Sequence, residues 1–328
     1  FNSCGELMGN LAISNLEDLV PKSSRFRTLL RIVSAKARRT LARFYHDGRY
    51  SDEQQDIIDK DWDNLIILDA CRFDALRAAR GESVENLVSI ASNSKDFIQR
   101  SMNGKELFDT IYISSNPHAE NTLQDGVFHK VVKTYGDARK LNEHEAYHPK
   151  NVCLAANEMI DEYPDKRFIV HFMQPHGPYF GKKAEKLRQE LREKHNIGFR
   201  RMNEAPSEID EEYADLQFAT INGYLSPETF RELYRENLAF VLEYVDELVE
   251  KLEGKTVISA DHGELLGDPS IRLSQWYGHA GHAPEVREVP WLELDCDERK
   301  SVVSEQPLDQ EDIEEQVVNE QLKHLGYL

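Results

Sequence analysis

The sequence is poor in cysteine and basic residues, and it contains no long apolar run. Its four cysteines stand far apart and form no CxxC pair. This pattern excludes a zinc ribbon, provides no disulfide framework and favours a reducing compartment. No stretch of about 18 apolar residues occurs, so we expect no transmembrane helix. The start, FNSCGELMGNLAISNLEDLV, has no charged region followed by a long apolar stretch. We therefore expect no secretory signal and a cytoplasmic protein.

Basic charge is also scarce, with 40 basic against 59 acidic residues and a formal net charge of −19. Duplex nucleic acid requires a basic footprint, so it is excluded as the main partner. Hydrophobic residues make up 40% of the sequence, which is enough for a buried core. The 328 residues predict one large α/β domain or one domain with a sizeable insertion.

Basic residues are concentrated near the start of the chain. Residues 24–49 (SRFRTLLRIVSAKARRTLARFYHDGR) have apolar residues at helical spacing with arginines between them. The simpler interpretation is a helix that docks on the domain, and the alternative is peripheral contact with a membrane surface. We therefore divide the chain into an N-terminal basic helical extension at 1–55 and a main domain at 56–328.

Apolar runs alternate with helical patterns through the main domain. This alternation predicts an α/β fold with a doubly wound, mostly parallel central sheet and helices on both faces. The predicted strands lie at 64–68, 86–90, 110–114, 167–172 and 255–259. A highly charged segment at about 182–224 is predicted to be a helical insertion, either a lid beside the site or a solvated surface feature.

Three polar groups follow predicted strands, at the edge of the sheet where ligands bind in such folds. Asp69 follows NLIIL, Asp261-His262 follows TVISA, and Ser94 lies where a strand gives way to a helix. Two carboxylates and one imidazole suit Zn²⁺ or Mn²⁺. A serine hydroxyl at a helix N-terminus suits an anionic ester, and a divalent cation can activate it. Taken singly, each group is also typical of a helix cap or a turn.

Four segments carry a family resemblance: NLIILDACRFDAL, HFMQPHGPYFG, VISADHGELLGD and YGHAGHAPEVREVPWLEL. In this order they resemble elements of the alkaline phosphatase superfamily, in its sulfatase-like branch, over roughly residues 60–295. The resemblance implies an alkaline phosphatase-like fold. It also implies that Asp69, Asp261 and His262 bind metal and that Ser94 is both a ligand and the nucleophile. Ser92 is the alternative nucleophile. The metal is expected to be zinc or manganese, with calcium or magnesium as alternatives, in one or two ions.

Three further histidines fall in the resembling segments: His176, His279 and His282. They are predicted either to complete a second metal site or to bind the ester oxygens and protonate the leaving group. His171, inside a predicted strand, is expected to support the site or touch the substrate. Arg72 is expected either to touch the ester or to pair with Asp74.

The sequence departs from the family at the formylglycine motif C-x-[P/A]-x-R. Cys71 begins CRFDA, which lacks both defining residues, and it stands only two positions after Asp69. Cys71 is therefore expected to be a buried structural thiol. The departure disfavours a formylglycine sulfatase and favours phosphate esters.

These observations predict a metal-dependent hydrolase or transferase of phosphate or sulfate monoesters or diesters, with a glycan or lipid headgroup as candidate substrate. One alternative is an inactive binding member of the same fold. Another is a metal-dependent phosphomutase, although that class usually carries a second large domain before the later ligands. A Ser-His-Asp acyl hydrolase is disfavoured because no G-x-S-x-G motif is present.

Overall fold

The structure is a computed structural model that describes residues 53–135, 146–195, 216–269, 275–279, 281 and 283–308. The predicted basic helix at 24–49 and the candidate residue His282 lie outside the described residues.

An eight-stranded sheet forms the centre of the described fold, in the order β1-β3-β10-β7-β2-β6-β4-β5. Strand β10 runs antiparallel to both of its neighbours, and the other pairings are parallel. A separate antiparallel pair is formed by β8 and β9. The strands are β1 (Gln54–Gln55), β2 (Asn64–Leu68), β3 (Glu85–Ser89), β4 (Leu107–Ser114), β5 (Phe128–Lys133), β6 (Arg167–Phe172), β7 (Thr256–Ser259), β8 (Leu265–Pro269), β9 (Gln275–Gly278) and β10 (Glu288–Glu293).

Helices connect the strands, and a short 3₁₀ helix (Ile57–Asp59) precedes β2. The helices are α1 (Phe73–Arg80), α2 (Ser94–Ser101), α3 (His118–Thr122), α4 (Pro149–Glu162), α5 (Lys182–His195), α6 (Leu216–Ile221), α7 (Pro227–Val249) and α8 (Pro284–Arg287). Among the described helices, none combines the length and apolar character needed to cross a bilayer.

The central strands are buried along their whole length because both faces of the sheet are covered. All five residues of β2 and all four of β7 are buried. In a half-exposed strand, polar and apolar residues would alternate instead. The predicted α/β fold with a mostly parallel central sheet is therefore confirmed.

The described part of the 182–224 segment packs on the domain through its own apolar cluster. Leu191 of α5 and Leu216 of α6 lie in this cluster with Phe230 and Leu233 of α7. All four side chains are at most 3% exposed. Helices α5 and α6 are therefore fixed against α7, and the buried Arg188 of α5 donates to the Tyr179 carbonyl oxygen at 2.7 Å.

Candidate functional site

The first candidate ligand, Asp69, lies at the carboxyl end of β2 and begins a tight turn. The next residue, Ala70, has a φ of +59°, a conformation that L-residues other than glycine seldom adopt. The buried Tyr234 hydroxyl of α7 donates to the Ala70 carbonyl oxygen (2.7 Å) and accepts from the Arg72 amide (2.9 Å). The Ala70 amide donates to Asp261 Oδ1 at 3.1 Å. These contacts hold the turn and direct the Asp69 carboxylate to the site.

The Asp261-His262-Gly263 segment follows β7 and is held just as closely. The His262 amide donates to Asp261 Oδ1 at 2.9 Å, and the Gly263 carbonyl oxygen lies 2.9 Å from His262 Nδ1. Because a carbonyl can only accept, Nδ1 carries the proton and Nε2 keeps its lone pair. A Cβ on Gly263 would lie 2.2 Å from the Glu285 carbonyl oxygen, and the Gly263 amide donates to the Val286 carbonyl oxygen (2.8 Å). Position 263 therefore requires glycine, because the backbone of Glu285 comes too close for a side chain.

Asp69, Asp261 and His262 come together in one buried group, whose ligand atoms all lie within 4.8 Å of one another. His262 Nε2 is 3.7 Å from Asp69 Oδ1 and 3.5 Å from Asp261 Oδ2. A tetrahedral cation with bonds of about 2.1 Å would separate its ligand atoms by about 3.4 Å. Asp261 Oδ2 is also buried with no hydrogen-bond partner among the described residues. The set could therefore hold a divalent cation.

The Ser94 hydroxyl lies beside the same group. Its Oγ donates to Asp69 Oδ2 at 3.1 Å and is 3.2 Å from His262 Nε2. Ser94 is the first residue of α2 and is 4% exposed. The helix is capped by Asn93, whose side chain accepts the Asp96 amide, so Ser94 itself is free of a capping role. The alternative, Ser92, makes no hydrogen bond to this group among the described residues and is partly exposed.

The pKa values of the two buried carboxylates, Asp69 and Asp261, are shifted in opposite directions. Burial, and then the charge of Asp261, raises the pKa of Asp69 to about 7. Burial would also raise the pKa of Asp261, but the neighbouring His262 and His171 imidazoles hold it below its usual value. Removing a cation from the site would therefore favour a proton on Asp69.

His176 and His279 are partly exposed at the same site. The ring centroid of His279 lies 4.7 Å from that of His262 and 5.6 Å from that of His176. Desolvation opposes protonation of His176, but the carboxylates of Glu264 and Asp69 raise its pKa. Desolvation and the neighbouring imidazoles of His262 and His176 lower the pKa of His279 well below its usual value. One imidazole is thus suited to donate a proton and the other to stay neutral.

Asn237 of α7 holds the loop that carries His176. Its Nδ2 lies 3.0 Å from the carbonyl oxygens of Pro175 and His176 and 3.2 Å from that of Pro178. Its Oδ1 accepts the Phe180 amide at 3.0 Å. The Asn237 side chain is completely buried. Asn237 therefore sets the path of this loop and, with it, the position of His176.

Two further residues contact the site and were not singled out from the sequence. Asn116, after β4, donates through Nδ2 to Asp69 Oδ2. The fully buried Glu264 accepts from Gln217 of α6 at 2.9 Å through Oε1. The signal for Asn116 is a run of polar residues directly after a strand, and Glu264 completes the DHGE motif itself.

Arg72 and Cys71 serve the structure beside the site. The Arg72 guanidinium pairs with Asp74 at 2.7 Å and Asp268 at 2.8 Å, so of the two alternatives the structure shows pairing. Cys71 is completely buried, as expected. Its pKa is raised by burial, which leaves the thiol protonated and inert.

No protein-family model matches the sequence, and no curated protein does. Solved structures do match. The chain is similar to the soluble domain of lipooligosaccharide phosphoethanolamine transferase A from Neisseria meningitidis, at 15% identity over 73% of this chain and 76% of that one (TM-score 0.41). It is similar to the integral membrane form of that transferase at 15% identity and TM-score 0.43, over 87% of this chain and 59% of that one.

A third similar structure is the phosphonate monoester hydrolase of Agrobacterium radiobacter, at 14% identity over 71% of this chain and 67% of that one (TM-score 0.42).

Proposed function

We propose that this protein is a metal-dependent enzyme that hydrolyses or transfers a phosphate or sulfate ester through Ser94. The observation that carries the proposal is the position of the Ser94 hydroxyl, 3.1 Å from Asp69 Oδ2 and 3.2 Å from His262 Nε2. A nucleophile in contact with two members of a buried cation-binding set is the arrangement that such chemistry requires.

Asp69, Asp261 and His262 would hold the cation, with Zn²⁺ or Mn²⁺ best suited to one nitrogen and two oxygens. When bound, the cation lowers the pKa of the serine hydroxyl and offsets negative charge on the ester oxygens. The side chains carry out the proton transfers and the nucleophilic attack. Ser94 Oγ gives up its proton, which Asp69 Oδ2 already receives as a hydrogen bond, and attacks the phosphorus or sulfur atom.

The bond from Ser94 to the ester group forms as the bond to the leaving oxygen breaks. The protonated His176 imidazole gives its proton to that oxygen, since its pKa is raised by Glu264 and Asp69. In the second step, His176 accepts a proton from water or from an acceptor alcohol, whose oxygen attacks the phosphorus or sulfur atom. The bond from that atom to Ser94 Oγ breaks, and Oγ takes its proton back from Asp69 Oδ2. Water makes the enzyme a hydrolase, and an alcohol makes it a transferase. Neutral His279, whose ring centroid lies 4.7 Å from that of His262, would contact the ester oxygens.

A phosphate ester is the favoured substrate because the formylglycine route requires a modified, accessible cysteine, and Cys71 is buried and protonated. A bulky ester, such as a glycan or lipid headgroup, suits a site that the 182–224 segment borders. Gln217 of α6 touches Glu264, so this segment reaches the DHGE motif itself.

The test combines elemental analysis of the purified protein with turnover of p-nitrophenyl phosphate and p-nitrophenyl sulfate. Wild type should contain a divalent metal or respond to added Zn²⁺ or Mn²⁺. Ser94→Ala should abolish turnover and keep the metal, whereas Ser92→Ala, a matched change two residues away, should keep both. Absence of metal and of turnover in wild type after Zn²⁺ and Mn²⁺ addition would contradict the enzyme and support a non-catalytic binding protein.

A further inference from the structure

His171 is a fully buried histidine of β6 that lies beneath the metal-binding set. It occupies the register between Ile67 of β2 and Ser114 of β4, in the middle of the sheet. Its Nε2 is 3.8 Å from Asp261 Oδ2. Neither atom has a hydrogen-bond partner among the described residues, although both are buried. A buried donor and a buried acceptor without partners are costly, so their mutual approach calls for an explanation.

The other nitrogen of His171 is engaged. Its Nδ1 lies 2.9 Å from the hydroxyl of Tyr112, a fully buried residue of β4. Burial keeps this hydroxyl protonated by raising the pKa of Tyr112. With Tyr112 donating to Nδ1, a neutral His171 carries its proton on Nε2, which faces the Asp261 carboxylate. The opposite tautomer would turn a lone pair towards that negative charge.

Asp261 needs such a partner because only one of its oxygens is fixed. Oδ1 accepts the backbone amides of Ala70 and His262. Oδ2, which lies 3.5 Å from His262 Nε2, has no amide to hold it. A carboxylate oxygen has two lone pairs, so Oδ2 can face a cation with one and the His171 N–H with the other. Without that N–H, the carboxylate is free to rotate about its fixed oxygen.

We propose that His171 is a positioning residue that directs Asp261 Oδ2 towards the cation, with the Tyr112 hydroxyl setting the tautomer of His171. The inference rests on the proposed function, because it assigns a task to residues around the proposed metal site. His171 raises the affinity of the site for its cation and touches neither the cation nor the substrate.

The experiment measures binding of Zn²⁺ and Mn²⁺ to chelator-treated full-length protein by isothermal titration calorimetry. His171→Leu removes the N–H and should weaken binding by about 10- to 100-fold. His171→Gln places an amide N–H near the position of Nε2 and should recover most of the affinity. Tyr112→Phe keeps the packing but frees the tautomer, and should weaken binding by a smaller factor.

His129→Leu is the matched control. This histidine is also buried on a strand, at 4% exposure, but its Nδ1 faces the carbonyl oxygens of Glu305 and Gln306. The His129→Leu variant should bind metal with the affinity of wild type. Urea unfolding of each metal-free variant shows whether the fold is kept. If His171→Leu disrupts the fold, the nearly isosteric Tyr112→Phe decides, since an unchanged affinity in that variant overturns the inference.

The two proposals fail in different ways. Wild type that binds no Zn²⁺ or Mn²⁺ contradicts the proposed function and the inference with it. Wild type that binds metal and turns over ester, together with a folded His171→Leu variant of equal affinity, contradicts the inference alone. The inference is also overturned if His171→Leu loses metal affinity and His171→Gln recovers none of it, because the lost affinity would then come from altered packing.

Discussion

Replacing Asn237 with leucine, a side chain of similar size, should both destabilise the protein and displace His176. The asparagine side chain connects α7 to three carbonyl oxygens and one amide of the loop from Pro175 to Phe180. Because Nδ2 has two hydrogens, its three short contacts amount to two hydrogen bonds, and Oδ1 contributes a third. At about 1 kcal/mol for each bond, Asn237→Leu should lower the free energy of unfolding by about 3 kcal/mol.

The kinetic consequence follows from the position of His176 in the same loop. If this histidine protonates the leaving oxygen, its displacement should reduce kcat by at least about tenfold, since general acids contribute roughly 10²- to 10⁴-fold. KM should change less, because the other groups of the site stay in place. The assay is urea unfolding followed by steady-state hydrolysis of p-nitrophenyl phosphate, at a temperature where the variant is fully folded.

Asn103→Leu is a suitable control. Asn103 also bridges a loop, donating to the Thr122 carbonyl oxygen (2.8 Å) and accepting the Gln124 amide (2.9 Å), and it is partly exposed. Asn103→Leu should lower the free energy of unfolding by about 1–2 kcal/mol and leave kcat unchanged. An Asn237→Leu variant as stable as wild type would show that the Asn237 hydrogen bonds do not hold the loop that carries His176. A destabilised variant with wild-type kcat would refute the assigned role of His176.

Two more predictions concern the metal-binding set. The pKa of Asp69 is raised to about 7, so in metal-free protein the native state holds a proton that the unfolded state loses near pH 4. Stability of the metal-free protein should therefore fall as pH rises from about 4 to about 7, and metal affinity should rise throughout that window as the competing proton leaves Asp69. Urea unfolding and calorimetry across pH check this, and affinity that is flat below pH 7 would contradict it. Gly263→Ala should lose metal binding and several kcal/mol of stability, because its Cβ would lie 2.2 Å from the Glu285 carbonyl oxygen. Gly177→Ala, whose Cβ would make an ordinary 3.4 Å contact with Tyr179, should be nearly neutral in thermal unfolding.

The sequence was sufficient to predict that Asp69 and Asp261 come together, because each follows a largely apolar run. The runs before Asp69 and Asp261 are buried strands β2 and β7, and these strands are direct neighbours in the sheet. Parallel neighbours present their carboxyl ends at one edge, so two strand-end carboxylates come together. What the runs could not predict was which strands would be neighbours, and hence the 3.1 Å contact between Ser94 and Asp69.

The supporting residues escaped prediction because their partners are far away in the sequence. In a helical pattern Asn237 is a polar residue and would be assigned to the exposed face of α7, yet it is completely buried. Strand β5, FHKVVK, was missed for a related reason. It carries the polar residues His129 and Lys130, and the tail segment near Leu308 covers it through contacts that no local pattern contains.

The antiparallel strand β10 has a consequence for the order of events during synthesis. It lies between β3 and β7, and the Val286 carbonyl oxygen just before it receives the Gly263 amide. A growing chain therefore has Asp69 and Ser94 long before it has the last strand that supports the DHGE segment. Contacts between such distant parts of a chain form late in folding. An ion held by Asp69, Asp261 and His262 would thus bind only after most of the sheet has formed, and could not serve as an early template for it.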